Sequence, residues 1–295
     1  MPKWSRRRTL PALAGLLLLG AAAAAVSAAA ASGQSPDAQA PPEPEPFVLP
    51  APPPSATGKG TVTLRLAKVS QKPDNSFEPT VWLKQNGLSL PTYVVPNENR
   101  GTAGNLPEGV PTTFRGGVLV QAIKSGARTL LVYGPNFYTG RYVVGWDVEK
   151  GQARYALDFG AYAAPTPRGG VTPLPVVFAR EDTDGTLYVA TALNGYASEA
   201  RGRTGYVTAL EPKTGKVRWH SAPLVANAST FELVGDAVVC GYGFTNEKDY
   251  LYLLNKKTGR TATRIPLKTG PEIILRKGDR VFVKCYDVNY VFAIK

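Results

Sequence analysis

One short pattern occurs three times in full and once in part along this 295-residue chain. Aligned without gaps on a turn glycine, the copies are YVVGWDVEKG (142–151), YVTALEPKTG (206–215), YLYLLNKKTG (250–259) and the truncated YVFAIK (290–295). Their starts are 64, 44 and 40 residues apart. Periods of about 40–45 residues are typical of four-stranded propeller blades. The longest gap has room for one blade and an insertion.

Each copy of the pattern reads as one strand of a larger unit. Asp-Gly or Gly-Asp turns open alternating strands ahead of three of the copies, as in DGTLYVATAL (184–193) and GDAVVCGYG (235–243), which is a hairpin signal. A further strand follows each complete glycine turn, and another precedes each hairpin. The sequence therefore predicts an all-β fold, a small β-propeller of about four four-stranded blades. A single blade cannot bury its own faces, so the unit has to repeat.

A few positions define the repeat. They are Tyr142, Tyr206, Tyr250 and Tyr290 in the first column, Gly151, Gly215 and Gly259 at the turn, and Trp219 on the strand after the turn.

The first 58 residues have a different composition. A basic start and an apolar, Ala-rich run predict a signal peptide over 1–31, with an uncleaved anchor as the alternative. Its SRRRTL stretch resembles a twin-arginine export signal. Residues 32–58 hold nine prolines and predict a disordered, extended spacer. The propeller domain is predicted over 59–295, and the localisation is predicted to be periplasmic or secreted.

The last repeat ends before its outer strand. Residues 57–66, TGKGTVTLRL, resemble the turn and strand TGKVRW at 214–219. We therefore expect an N-terminal strand over these residues to complete the last blade and close the ring, which removes an exposed strand edge. Residues 70–112 are left over, and VWLKQNGLSLPTYVV within them predicts a hairpin cap or part of a fifth blade.

The segment YVTALEPKTGKVRW resembles the repeat of PQQ-like, quinoprotein-type β-propellers. Ala209, Thr214, Gly215 and Trp219 match that repeat, and the resemblance covers roughly residues 115–295. It implies the fold, and it implies that Trp219 packs between blades rather than binding a ligand. Among scaffolds, the chain resembles the propeller component of the outer-membrane β-barrel assembly machinery, with fewer blades and no lipidated cysteine. That resemblance implies an exported protein that holds a partner.

The residue types that carry most catalysis are scarce. Cys240 and Cys285 have equal parity on their strands, which favours buried free thiols, although export to an oxidising compartment favours a disulfide. His220 is the only histidine, and its outer-strand position predicts a solvent-exposed, inert side chain. The stretch 182–185 (DTDG) predicts a hairpin turn rather than a calcium loop. We therefore expect no catalytic residue, no metal and no cofactor.

The formal net charge of +12 predicts partners with acidic surfaces. We expect a binding scaffold for an envelope protein or for an anionic polymer or lipid surface, not for nucleic acid, with a membrane tether if the signal is uncleaved. The candidate binding rim, taken from cations in or near predicted loops, is Arg201, Arg203, Lys248 and Lys256. The alternative is an enzyme, either a reduced quinoprotein dehydrogenase or a lyase-type propeller. A structural domain that binds its own spacer or a second copy is a third reading.

Overall fold

The computed structural model describes residues 43–74, 78–96, 104–126 and 128–295. Helix α1 spans Pro79–Asn86, and a short 3-10 helix spans Ala197–Ala200. In chain order the strands are β1 (Phe47–Val48), β2 (Leu66–Pro73), β3 (Thr113–Phe114), β4 (Gly117–Ser125), β5 (Arg128–Gly134), β6 (Tyr142–Asp147), β7 (Gln152–Asp158), β8 (Ala163–Pro165), β9 (Val171–Pro173), β10 (Val176–Glu181), β11 (Leu187–Thr191), β12 (Tyr206–Glu211), β13 (Lys216–His220), β14 (Glu232–Val234), β15 (Ala237–Tyr242), β16 (Tyr250–Asn255), β17 (Thr261–Pro266), β18 (Pro271–Lys277), β19 (Arg280–Cys285) and β20 (Val288–Ile294).

Four antiparallel sheets follow one another along the chain and form the blades of a β-propeller. Blade 1 contains β4 to β7, blade 2 contains β10 to β13, and blade 3 contains β14 to β17. Blade 4 contains β18, β19 and β20, with β2 as its fourth strand. Blade 1 is extended by β3 beside β4 and by β1 beside β7, and β8 pairs with β9 as a separate hairpin. The predicted all-β fold of four four-stranded blades is confirmed.

The repeated tyrosines and glycines occupy equivalent places. Tyr142, Tyr206 and Tyr250 open the third strand of blades 1 to 3, and Tyr290 lies within the third strand of blade 4. The turn glycines join the third strand to the fourth, with φ angles of 59° at Gly151, 68° at Gly215 and 69° at Gly259. This left-handed conformation is unfavourable for residues with a Cβ, which explains why glycine recurs there.

Trp219 packs between blades 2 and 3. Its ring lies on the backbone of Gly259, where an added Cβ would come within 2.4 Å of the ring. Its indole Nε1 donates a hydrogen bond to the carbonyl oxygen of Lys256 at 2.9 Å. The Tyr188 ring lies beside it, with centroids 5.8 Å apart. One aromatic side chain thereby joins the outer strand of one blade to the turn of the next.

The fourth strand of blade 4 comes from the N-terminal side of the domain. Strand β2 pairs antiparallel with β20, from Leu66 opposite Ile294 to Pro73 opposite Val288. An N-terminal strand therefore closes the last blade as expected, but the predicted segment, 57–66, is wrong. Asp236 is the reason, because its carboxylate accepts the backbone N–H groups of Thr63 at 2.6 Å and of the following Leu64 at 3.2 Å.

Residues 43–65 form an N-terminal belt that follows the outer strands of blades 1, 2 and 3. Three backbone hydrogen bonds mark its course: Leu49 N to Asp158 O at 3.1 Å, Ala56 N to His220 O at 2.7 Å and Gly60 N to Thr261 O at 2.9 Å. The prediction of a disordered spacer over 32–58 is therefore wrong for residues 43–58. Proline composition predicts an extended chain, but it does not predict the docking of Leu49, which is 1% exposed.

The N-terminal belt covers a turn of blade 2 that has no tryptophan from blade 1 to cover it. Tyr155 stands where blade 2 has its docking Trp, and its hydroxyl donates to Glu181 Oε2 at 3.2 Å instead. Phe47 and Leu49 cover the next turn: a Cβ on Gly215 would lie 3.1 Å from Phe47 Cβ and 3.4 Å from Leu49 Cδ2. The N-terminal belt thus supplies the apolar cover that Trp219 supplies one blade later.

The segment after β2 contains a helix instead of the expected hairpin. Helix α1 has proline in its first turn and ends at Gly87 with φ 59°, both common helix boundaries. Its Trp82 and Leu83 pack on blade 4, and beyond it Tyr93 N donates to Ala122 O of β4 at 2.8 Å. Residues 78–96 therefore contact both blade 4 and blade 1.

The predicted signal peptide at 1–31 and residues 32–42 of the spacer lie outside the described residues. In the ranges that are described, none of the helices combines the length and the apolar character needed to cross a bilayer.

Candidate binding funnel

A cavity of about 910 Å³ opens at one face of the propeller. It lies where the first strands of the blades begin and where the loops between second and third strands project. Its lining comes from all four blades. Aromatic, charged and hydroxyl side chains in it include Tyr138, Phe244, Thr245, Glu247, Asp249, Lys268, Glu272 and Tyr286. We call this cavity the funnel. Loops carry these side chains, and the sheets hold the loops in place.

Aromatic side chains surround the mouth of the funnel. Tyr138 is 71% exposed in the loop of blade 1, and Tyr286 is 57% exposed in the loop of blade 4. Between the loops of blades 2 and 3, Tyr196 meets Phe244 edge to face, with centroids 4.9 Å apart. Exposed tyrosine at a cavity mouth is typical of recognition surfaces, because it combines apolar area with a polar end.

The charged groups of the funnel are mainly acidic. Glu247, Asp249 and Glu272 line it, and Lys268 is the cation among the lining residues. Lys268 lies 3.7 Å from Asp287, so its charge is already partly offset. Glu272 is likewise offset by Lys284 at 3.0 Å, but Glu247 and Asp249 leave the funnel acidic although the chain as a whole carries +12.

Glu247 is held in place by neighbouring loops. One of its oxygens accepts the backbone N–H of Ala197 at 2.7 Å, and the other accepts the Tyr242 hydroxyl at 2.9 Å. These bonds tie the loop of blade 2 to the loop of blade 3. Glu247 contributes negative charge to the funnel from a fixed position.

Asp249 is the funnel group whose protonation is most altered. Burial, together with the nearby Glu247 carboxylate, raises the pKa of Asp249 to about 6. Its Oδ1 is buried and accepts no hydrogen bond from the described residues. A Cβ on Gly243 would overlap this oxygen, so the backbone approach requires glycine there. A cation bound in the funnel would be stabilised by Asp249, because it would offset a negative charge that burial and Glu247 both disfavour.

Lys284 connects the funnel to the closing strand. Its side chain is 1% exposed, and its Nζ lies 3.0 Å from Glu272 Oε2 and 3.2 Å from Asp74 Oδ2. Asp74 directly follows β2. Burial lowers the pKa of Lys284, but the Glu272 and Asp74 carboxylates outweigh it, so the pKa is raised and the group is an ammonium.

The predicted rim residues do not form one group. Arg201, Arg203 and Lys248 lie in the loops on the funnel side of blades 2 and 3, but none is among the lining residues. Lys256 lies at the other end of β16, where it forms an ion pair with Asp182. The prediction that these four cations form a single rim is therefore wrong for Lys256, which lies at the opposite end of its blade.

His220 is buried rather than exposed, contrary to expectation. It is 3% exposed, stacks on Tyr206 with centroids 4.3 Å apart, and shares a hydrogen bond of 2.9 Å between Nδ1 and the Thr208 hydroxyl. Tyr162 meets it edge-on from the blade 1 side. Burial lowers the pKa of His220 to about 4, so the ring is neutral at pH 7.

The two cysteines and the DTDG stretch also have structural surroundings. Cys240 and Cys285 are free and buried, as the parity of their positions suggested, and burial raises the pKa of both thiols. Asp182 and Asp184 form a turn: Gly185 N donates to Asp182 O, and Thr186 N to Asp184 Oδ1 at 2.8 Å. Within the described ranges, no three His, Cys, Asp or Glu side chains are grouped for metal binding.

Sequence reasoning missed the funnel side chains. Tyr138, Asp249 and Tyr286 lie in loops whose lengths and compositions differ from blade to blade, so no repeat aligns them. These residues share only their place in the blade, because each lies in the loop that joins the second strand of its blade to the third. A search restricted to that loop of every blade would have found these residues.

No family model and no curated protein matches the chain. Several solved structures align over part of it. BamB from Moraxella catarrhalis aligns at 12% identity over 58% of this chain and 42% of its own length, with a TM-score of 0.39. The computationally designed Ika4 protein aligns at 13% identity over 64% of this chain and 98% of its own, with a TM-score of 0.40.

Sqt1 from Saccharomyces cerevisiae aligns at 11% identity over 65% of this chain and 50% of its own, with a TM-score of 0.38. The chain thus spans less than half the length of BamB. Because identities and TM-scores are low, the fold assignment rests on the sheet topology described above.

Proposed function

We propose that this chain is an exported, non-catalytic binding scaffold built on PQQ-like propeller repeats. The Thr-Gly turn and docking tryptophan of blade 2 support the repeat assignment. The basic, then apolar N-terminal sequence supports export to the periplasm or beyond. Binding is favoured over catalysis because His220 and both thiols are buried and lie outside the funnel lining.

The proposed ligand of the funnel is a cationic segment of an envelope protein. The observation that carries this is charge complementarity: an acidic cavity with exposed tyrosines opens on a strongly basic protein. A lysine or arginine side chain would meet the Asp249 and Glu272 carboxylates and the faces of Tyr138 and Tyr286. The anionic partners expected from the overall charge would be repelled by the same carboxylates.

Affinity purification from detergent-solubilised native cells tests this function. The tagged full chain is compared with a funnel variant, Tyr138→Ala with Asp249→Asn, and with a control, Val171→Ala with Glu149→Gln. The control removes one exposed apolar side chain and one acid outside the funnel lining. We expect one envelope protein with wild type and control, reduced by on the order of tenfold or more with the funnel variant. Equal recovery with all three chains, or no enriched protein with any, would overturn the proposal.

A further inference from the structure

The end of blade 4 that lies away from the funnel is strongly basic. Strand β18 runs from the funnel, which Pro271 and Glu272 line, to Lys277 at the opposite end. Exposed cations gather at this second end: Arg65, Lys84, Arg276, Lys277, Arg280 and Lys295. We call them the basic end of blade 4. The two ends of the same blade therefore carry opposite charge.

Backbone pairing holds most of these cations together. Lys277 and Arg280 face each other across the hairpin of β18 and β19. Arg65 and Lys295 exchange two backbone hydrogen bonds, of 3.1 and 2.9 Å. Lys277 Nζ also donates to the carbonyl oxygen of Asn86 at 3.1 Å, which brings the C-terminal end of helix α1, with Lys84, to the same place.

These cations have no ion-pair partner in the described part of the chain. Their side chains donate only to carbonyl oxygens, for example Arg276 Nε to Gly278 O at 3.0 Å. The buried Glu232 carboxylate lies near Arg276 and accepts a hydrogen bond from its backbone N–H, but its ion-pair partner is Arg180 at 2.6 Å. Asp279 is the acid within the hairpin turn itself. Asp236 binds the backbone just before Arg65, so two acids stand near six exposed cations. Like charges held together in excess of their counter-charge repel one another, so an external anion would stabilise this end.

The surface suits a plane of anions better than a single ion. These cations lie at a sheet end and on a helix, and none of them lines either of the two cavities described for the chain. On helix α1, Val81 is 46% exposed and lies one turn before Lys84. An exposed aliphatic side chain beside a lysine fits the boundary between lipid headgroups and acyl chains.

We propose that the basic end of blade 4 docks on a membrane surface of anionic phospholipids. The phosphate groups supply the missing counter-charge, and Val81 contacts the upper acyl region. A propeller docked in this way holds its funnel away from the lipid surface, free for a protein. This proposal is independent of the ligand of the funnel.

Site-specific fluorescence on the full chain tests the docking. Cys240 and Cys285 are both 0% exposed, so an added surface cysteine is labelled selectively. An environment-sensitive dye is placed at Gln85→Cys beside the basic end, or at Thr245→Cys in the funnel. Vesicles of phosphatidylglycerol are compared with vesicles of phosphatidylcholine. We expect a blue shift only for the dye at position 85, only with phosphatidylglycerol, and lost at about 0.5 M salt.

Charge variants provide the matched comparison. Lys84→Gln, Arg280→Gln and Lys295→Gln together remove three cations of the basic end. Lys150→Gln, Lys213→Gln and Lys216→Gln remove three exposed cations from other blades. Every chain keeps the same basic N-terminus, so the contribution of that segment to vesicle binding is the same in both sets of variants. We expect the first set to weaken vesicle binding on the order of a hundredfold and the second set to have little effect.

Three results would overturn the proposal. They are equal weakening by both sets of substitutions, a blue shift of both dyes alike, and inorganic polyphosphate binding without any vesicle binding. The last would assign the basic end to a soluble polyanion instead. None of these results bears on the funnel, whose test uses a protein partner.

Discussion

Trp219 of blade 2 lies flat against Gly259 of blade 3, with no room for a Cβ between them. The contact unites two features that recur separately in the sequence, the turn glycine and the outer-strand aromatic. At this turn the repeat is architectural, since the glycine of blade 3 is covered by an aromatic side chain of its neighbour.

Gly259→Ala is expected to destabilise the fold by about 3 kcal/mol, because the methyl group displaces Trp219 in addition to straining the backbone. Gly235→Ala is the control, since Gly235 has a similar φ of 56° but open space around it. It is expected to cost about 1 kcal/mol. Chemical denaturation measures both values, and equal costs would show that the contact with Trp219 contributes nothing.

Leu49→Ala is expected to cost about 3 kcal/mol, because the N-terminal belt buries this side chain against blades 1 and 2. The adjacent Val48 is 74% exposed, so Val48→Ala is expected to cost less than about 0.5 kcal/mol. Both substitutions lie in the proline-rich segment. If denaturation finds neither destabilising, residues 43–58 behave as a free spacer after all.

Lys284→Met is expected to destabilise by about 3 kcal/mol, because it leaves the Asp74 carboxylate without its buried counter-charge. Lys268→Met is the control, since its ion pair with Asp287 is largely exposed and is expected to contribute less than about 1 kcal/mol. Adding Asp74→Asn to Lys284→Met is expected to recover part of the loss. A double variant no more stable than Lys284→Met would contradict this account of ring closure.

Acid is expected to destabilise the fold partly through His220. The unfolded ring takes up a proton near its ordinary pKa of 6.5, whereas the buried ring does so only near 4. Below pH 6.5 the unfolded state therefore binds more protons, and stability falls as pH drops towards 4. The loss from this group approaches about 3 kcal/mol.

His220→Asn removes the titrating group and keeps a polar partner for Thr208. The variant is expected to be less stable at pH 7, but to lose less stability than wild type between pH 7 and pH 4. Denaturation at several pH values gives the difference between the two proteins, in which the shared carboxylates cancel. Parallel stability curves would mean that His220 is not buried and neutral.

Local repetition predicted the blades because the first three repeats need a left-handed turn at the same place, at Gly151, Gly215 and Gly259. Contacts between distant segments were not predictable in this way. The closing strand begins at Leu66 rather than Thr57 because Asp236 captures the backbone of the preceding residues. His220 is buried because Tyr206 stacks on its ring and Tyr162, from the connection after blade 1, meets it edge-on.

The funnel shows the same limit. The net charge predicted anionic partners. The funnel carboxylates Glu247 and Asp249 lie in a loop whose sequence does not repeat from blade to blade, so the net charge did not reveal them. Asp249 directly precedes Tyr250, the first residue of an ordinary repeat, and nothing in the sequence marks it as a cavity residue. Its raised pKa depends on burial and on the nearby Glu247 carboxylate. Gly243 and Gly270 approach its Oδ1 from two separate loops.

Photo-cross-linking in intact cells tests the central claim most directly. A photo-reactive phenylalanine replaces Tyr138 at the funnel mouth or, as control, Lys213 in an exposed turn outside the funnel lining. We expect one envelope protein to be captured from position 138, not from position 213, and to be lost when Asp249→Lys is added. Capture from position 213 alone, or capture from position 138 that is unchanged by Asp249→Lys, would contradict the acidic funnel as the binding site.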